Sequence, residues 1–135
     1  MKISIGTNIK EGPWGGGNLF AINLKEYLIS KGYKVVNNLE DQDIDIILIT
    51  EPRKTSESSA FTHVDVKNYL KFVNRETLVM HRINECDERK NTNFVNKYLI
   101  EANKVADYTV FVSQWLKDLY INQGINNKNN HVVLA

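Results

Sequence analysis

The sequence predicts an α/β fold in which a mostly parallel sheet carries helices on both faces. Short apolar runs rich in β-branched residues alternate along the chain with segments of helical period, and such alternation builds parallel sheets through crossover helices. The run IDIILIT at 44–50 is apolar nearly throughout, as expected of a strand covered on both faces. Size adds a bound. A chain of 135 residues, 42% hydrophobic and 24% charged, reads as one globular domain whose core closes without disulfides or metals.

Residues 2–6 form the first strand. Residues 18–31 follow, with Phe20, Leu24, Tyr27 and Leu28 on one helical stripe, and Gly32 stands where a helix-terminating glycine belongs. Strands at 33–36 and 44–50 come next. No full helix fits between them, which leaves a tight turn, a loop or a short helix at 39–43. Residues 64–73 place Val66, Tyr69, Leu70 and Val73 at helical spacing, and Thr62 with Asp65 makes a capping box ahead of them. A fourth strand spans 77–83. The clearest helix is 93–106, with Phe94, Val95, Tyr98, Leu99, Ala102, Val105 and Ala106 in phase. A fifth strand covers 108–112. Ser113 then caps a helix at 114–123, which Gly124 ends, and the polar stretch 126–130 leads to a last strand at 131–134.

Lys and Arg number 17 against 16 Asp and Glu, a net charge of +1. That balance argues against a general nucleic-acid binder or a polybasic membrane arm. The lone Cys86 makes no internal disulfide, and no Cys/His cluster has zinc spacing. No metal and no cofactor are expected. The start reaches Gly6 too soon for a signal peptide, and no apolar run approaches transmembrane length. The expectation is a soluble cytoplasmic domain with no indicated membrane association.

Ligands of open parallel sheets bind beyond the carboxyl ends of the strands. Four polar clusters follow strands here: residues 7–18, Glu51 to Lys54, the stretch from His81 to Thr92, and Ser113 to Trp115. In a parallel sheet they share one rim. Four of the seven glycines lie between Gly12 and Gly17, directly before a helix. Glycine lets backbone N–H groups approach an anion without a Cβ in the way, and the helix N-terminus adds partial positive charge. Gly15, Gly16 and Gly17 therefore form a candidate phosphate cradle; the alternative is a flexible strand–helix corner. The P-loop signature is absent, and Phe20 stands where a dinucleotide fingerprint needs its third glycine. NAD binding, and with it an oxidoreductase fragment, is the weaker alternative.

His81, at the end of the fourth strand, reads either as a base or hydroxyl ligand or as a core imidazole. Arg82 and Arg89 suit phosphate or carboxylate recognition; the alternative is a solvated surface pair, the plainer reading for Arg89. Asn84, Glu85 and Asp87 belong to the same loop, where solvated carboxylates are the plainer reading. Cys86, His63 and His131 read as structural.

Three passages resemble one family. Gly15-Gly16-Gly17 leads into a helix with Leu19, Leu24 and Leu28 and the turn Lys31-Gly32-Tyr33-Lys34-Val35; the fourth strand ends His81-Arg82-Ile83-Asn84; and Val105-Ala106-Asp107 runs through Ser113-Gln114-Trp115-Leu116-Lys117-Asp118. In order and spacing these resemble the N-terminal domain of GT-B-fold glycosyltransferases of the retaining family 4 type. The resemblance implies a Rossmann-like lobe and transfer of a sugar from a nucleotide-sugar to an acceptor. It implies donor-phosphate contact at Gly15, Gly16 and Gly17, a catalytic place filled by His81 or Arg82, and acceptor contact through Asn84, Glu85, Asp87 and Arg89. It implies no obligatory metal, in keeping with the lack of a D-x-D motif. Such enzymes bind the donor chiefly on a C-terminal domain that has no counterpart here. Residues 1–135 are thus expected to be one acceptor-side domain, nearly inactive alone, that works with a donor-binding domain or partner chain. A non-enzymatic nucleotide- or phosphate-binding module is the other reading.

Overall fold

A computed structural model describes residues 1–12, 15–126 and 128–133. The chain runs β1 (Lys2–Ile5), α1 (Gly16–Ser30), β2 (Lys34–Val36), β3 (Ile46–Ile49), α2 (His63–Phe72), β4 (Leu78–Ile83), α3 (Asp87–Lys90), α4 (Val95–Asn103), β5 (Tyr108–Phe111), α5 (Gln114–Asn122) and β6 (Asn130–Val132). The strands form one sheet in the order β2-β1-β3-β4-β5-β6, and every pairing is parallel. The expected fold class holds. The final residue of the predicted last strand, Leu134, lies outside the described residues.

The pleat sorts side chains between two faces. Ile47, Ile49, Val79, Ile83 and Phe111 point to the face that packs on α2, α4 and α5, where Val66, Tyr69, Val95, Leu99, Leu116 and Tyr120 complete the core. Ile3, Ile5 and Leu48 point the other way and meet Ala21, Phe20, Leu24 and Leu28 of α1. On that face α1 leaves a trough of about 1120 Å³, which Met80, Val110 and Val112 line beside Leu24 and Leu28.

No helix forms between β2 and β3. The connection returns to the amino end of β1, where Lys2 Nζ pairs with Asp41 at 2.9 Å and Asp43 at 2.7 Å. Tyr69 donates its hydroxyl proton to the Asp41 carbonyl at 2.7 Å. The Thr62–Asp65 capping box is present in both directions, and Ser113 Oγ accepts from Leu116 N. Thr62→Ala is expected to cost about 1 kcal/mol, read as a shift in the urea midpoint at constant slope.

α1 begins at Gly16 rather than at 18, so Gly16 and Gly17 belong to its first turn, and two further elements depart from expectation. α3 occupies part of what reads as a loop, because a four-residue helix is too short to show a period. α4 is shorter than 93–106 at both ends. Its first turn is set from outside: Asp87 accepts from the N–H groups of Val95 at 2.8 Å and Asn96 at 3.1 Å. Beyond its end, Asp107 is drawn into the sheet, donating its N–H to Val79 O and accepting from Val79 N.

Candidate functional site

Beyond the carboxyl ends of β1, β3 and β4 the chain leaves a cleft of about 480 Å³. Three segments wall it. The first leaves β1 and climbs to the N-terminus of α1. Gly6 is fixed by crowding, since a Cβ there would lie 3.0 Å from Leu48 O and 3.1 Å from the Phe61 ring. Thr7 then hydrogen-bonds Thr50 through their hydroxyls at 2.7 Å. Asn18, in the first turn of α1, accepts from Lys10 N at 2.7 Å and donates to Lys10 O at 2.8 Å, which pins the loop to the helix.

Gly15, Gly16 and Gly17 behave unlike Gly6. None has a left-handed backbone, and a Cβ built on any of them meets nothing within 4 Å. Neither crowding nor backbone strain requires glycine at these places. Glycine lowers helix propensity at Gly16 and Gly17, in the first turn of α1, whereas Gly15 stands at the N-cap, a place glycine takes readily. Gly15 is the N-cap of α1 without a side-chain cap, and no acidic residue occupies the first turn. Gly15 and Gly17 line the cleft, and Gly16 and Gly17 line the trough.

The second wall follows β3. Arg53 forks onto Glu51, with Nε to Oε1 at 2.5 Å and Nη2 to Oε2 at 2.8 Å, and its Nη2 also reaches Glu85 Oε1. Lys90 Nζ holds the other Glu85 oxygen. The Glu51 hydrogen bond, against the cost of burial, keeps the Arg53 pKa above its ordinary value. Two cations and two carboxylates thus cancel. Ser56, Glu57 and Ser58 extend this wall with hydroxyl and carboxylate groups.

The third wall is the end of β4. Pleating sends neighbouring residues to opposite faces. Arg82 and Asn84 line the cleft and the mouth of the trough. The Arg82 guanidinium lies 3.8 Å from the Phe20 ring centroid, stacked on α1, and burial alone lowers its pKa. His81 points into the helix-covered core, fully buried. Its Nδ1 lies 3.0 Å from Asn103 Nδ2, which also donates to Thr109 Oγ1 at 2.9 Å. Burial pushes the His81 pKa down to about 3, with a smaller contribution from the charge of His63.

The structure therefore gathers Gly15, Gly17, Arg82, Asn84 and Glu85 at one cleft, with Gly16 beside it. It does not bring His81 there. Asp87 is spent on the backbone of α4 and on Thr92 Oγ1 at 2.5 Å. Burial alone would raise its pKa, but these hydrogen bonds outweigh burial and hold it below the usual carboxylate value. Arg89 lies outside the cleft, its guanidinium 5.2 Å from the Trp115 ring centroid. Glu51, Arg53 and Lys90 complete the cleft without having been singled out as site residues; a Glu-x-Arg just after a buried strand was the available signal. Among the described residues no group of three or more His, Cys, Asp and Glu side chains could hold a metal. No helix among them is long and apolar enough to cross a membrane.

No protein-family model and no curated protein matches the sequence. Solved structures do resemble the fold. An α-glucosyltransferase in complex with UDP-glucose and DNA containing an abasic site aligns over 99% of this chain and 42% of its own, with TM-score 0.63 and 17% identity. An α-glucosyltransferase in complex with UDP and a 13-mer DNA containing a HMU base aligns over 98% and 41%, with TM-score 0.62 and 17% identity. An α-glucosyltransferase with UDP aligns over 97% and 42%, with TM-score 0.55 and 12% identity. This chain spans about two-fifths of the length of those proteins. At such identity the likeness establishes the fold, a Rossmann-like α/β lobe of the kind found in GT-B glycosyltransferases.

Proposed function

We propose that residues 1–135 form the acceptor-side lobe of a nucleotide-sugar-dependent glycosyltransferase of the retaining, family 4 type. The observation that carries this reading is the polar cleft at the carboxyl ends of the strands, opening on the glycine N-terminus of α1. In the reaction the bond between the anomeric carbon and the diphosphate breaks, and a bond to an acceptor hydroxyl oxygen forms. The nucleoside diphosphate leaves with the electron pair. N–H groups at Gly15 to Gly17 suit the charge that grows on the departing phosphate. Arg82 and Asn84, rather than His81, face the reacting centre. Glu85 is neutralised by Arg53 and Lys90, so its part is to hold those cations around acceptor hydroxyls.

The donor-binding domain lies outside residues 1–135 in this reading, and the lobe alone is nearly inactive. Supplied with a donor-binding domain, it is expected to transfer labelled sugar from at least one UDP-, GDP- or ADP-sugar. No transfer from any of them overturns the assignment. A nucleic-acid acceptor is favoured by one observation. Arg89 stacked on half-exposed Trp115 offers the aromatic and cationic contact that a base and its phosphate take, and DNA stands in two of the similar complexes. The near-balanced net charge points to no nucleic-acid partner, and this reading departs from that expectation.

A further inference from the structure

We propose that the apolar trough beside α1 is an interface between two copies of this chain, in which the α1 helix of each copy lies in the trough of the other. The inference concerns the sheet face across from α2, α4 and α5, and it needs none of the glycosyltransferase reading.

The topology leaves the trough open. The connections that lead from β3 to β6 run through α2, α4 and α5, which all pack on one face of the sheet. The other face receives α1, which sits over β1 and β3. Over β4, β5 and β6 that second face stays open, and Met80, Val110, Val112 and Val133 line it. Parallel sheets are covered on both faces, so this half of the sheet lacks a layer one helix thick.

The trough also suits a copy of its own chain. Among the described residues that line it, Arg82 carries the one charge, at the end shared with the cleft. A two-fold contact sets a surface against itself and opposes like charges wherever it has them; this surface has almost none to oppose. The missing layer calls for an apolar rod, and α1 is one. Of its fifteen residues only Lys25 and Glu26 are charged, and Leu19 and Tyr27 are 58% and 59% exposed. A helix with so little charge around its circumference belongs to a buried layer, and a single copy buries one side of it. Ridge and groove lie next to each other on the same face. A second copy, turned about a two-fold axis along the strands, lays its α1 in the first trough and receives the first α1 in its own. The two sheets then enclose a layer two helices wide. Gly17, Arg82 and Asn84 line both trough and cleft, so the interface ends where the cleft begins.

The test is sedimentation velocity of the full chain over a concentration series, beside thermal melts of the same samples. The parent should sediment as a dimer that dissociates on dilution, with an unfolding midpoint that rises with concentration. Leu19→Glu alters the ridge and Val133→Glu the groove. Both positions are more than half exposed in the single chain, so the fold tolerates the change. Each substitution puts a carboxylate into the apolar contact, and symmetry puts it there twice. Each should weaken the dimer at least about tenfold and flatten the concentration dependence of the midpoint. Phe72→Glu, at a 73% exposed position of α2 across the sheet, should leave the dimer as it is. A parent that stays monomeric at every concentration overturns the proposal. So does a dimer that Phe72→Glu weakens and the two trough variants do not. A monomer that joins a supplied donor-binding domain, and fails to join it as Leu19→Glu, also overturns the proposal and gives the trough to that domain.

Discussion

Gly17→Val is expected to weaken sugar-nucleotide binding at least about tenfold, because glycine at such a turn lets the backbone come against a pyrophosphate. The same change should move the unfolding free energy by no more than about 0.5 kcal/mol. Its Cβ meets nothing within 4 Å, and the backbone there is not left-handed, so neither packing nor strain resists the substitution. Gly17→Ala should go further and gain a few tenths of a kcal/mol of stability, because glycine costs helix propensity. Titration with UDP-glucose beside a urea melt reads both quantities. A flexible corner gives one pattern and a cradle gives another. Equal affinity in Gly17→Val and the parent would return the glycine stretch to the status of a corner.

The second large effect lies in acid. His81 is neutral in the folded state down to about pH 3, while in the unfolded chain it titrates near its ordinary 6.5. Between those values the unfolded state binds the extra proton. The stability contributed by the neutral imidazole is therefore complete above about pH 7 and is lost as pH falls toward 3. From the two pKa values, about 2 kcal/mol should be gone by pH 5. Burial lowers the His63 pKa as well, so it adds in the same direction. Carboxylates contribute mainly below about pH 5, which leaves the window from pH 7 to 5 to the histidines. Urea melts at pH 7.5, 6 and 5 should show the decline, and His81→Gln should flatten it while retaining a polar group for Asn103. A decline of the same steepness in that variant would mean that the buried imidazole is not its source.

The adjacent residues His81 and Arg82 show how far a sequence can be read. Composition and periodicity place the β4 strand, and the order of elements places its end at the ligand rim. Neither tells which of two neighbours turns toward the cleft. That depends on which face of the sheet each helix covers, a property of the whole packing. Periodicity finds Phe20 on the inward stripe of α1, but only the folded chain brings its ring beneath Arg82. Asp87 shows a related limit. A carboxylate in a polar loop looks available until the loop folds and backbone N–H groups claim it. Thr62 and Ser113 were legible because a cap is a local bargain between residues three apart. The Arg53–Glu85 contact spans 32 positions, and no local rule can reach it.

α1 brings together features that the chain numbering keeps apart. Its amino end carries the glycines, and one turn later it carries the ring on which Arg82 rests. Both move with one rigid rod, and Ala21, with no exposed surface, is where that rod bears on the sheet. The rod works as a lever with its fulcrum at a methyl group. A larger side chain at the fulcrum would lift the glycines and the arginine's support together. A larger side chain at Ala21 is therefore expected to disturb both walls of the cleft from a position that does not line it.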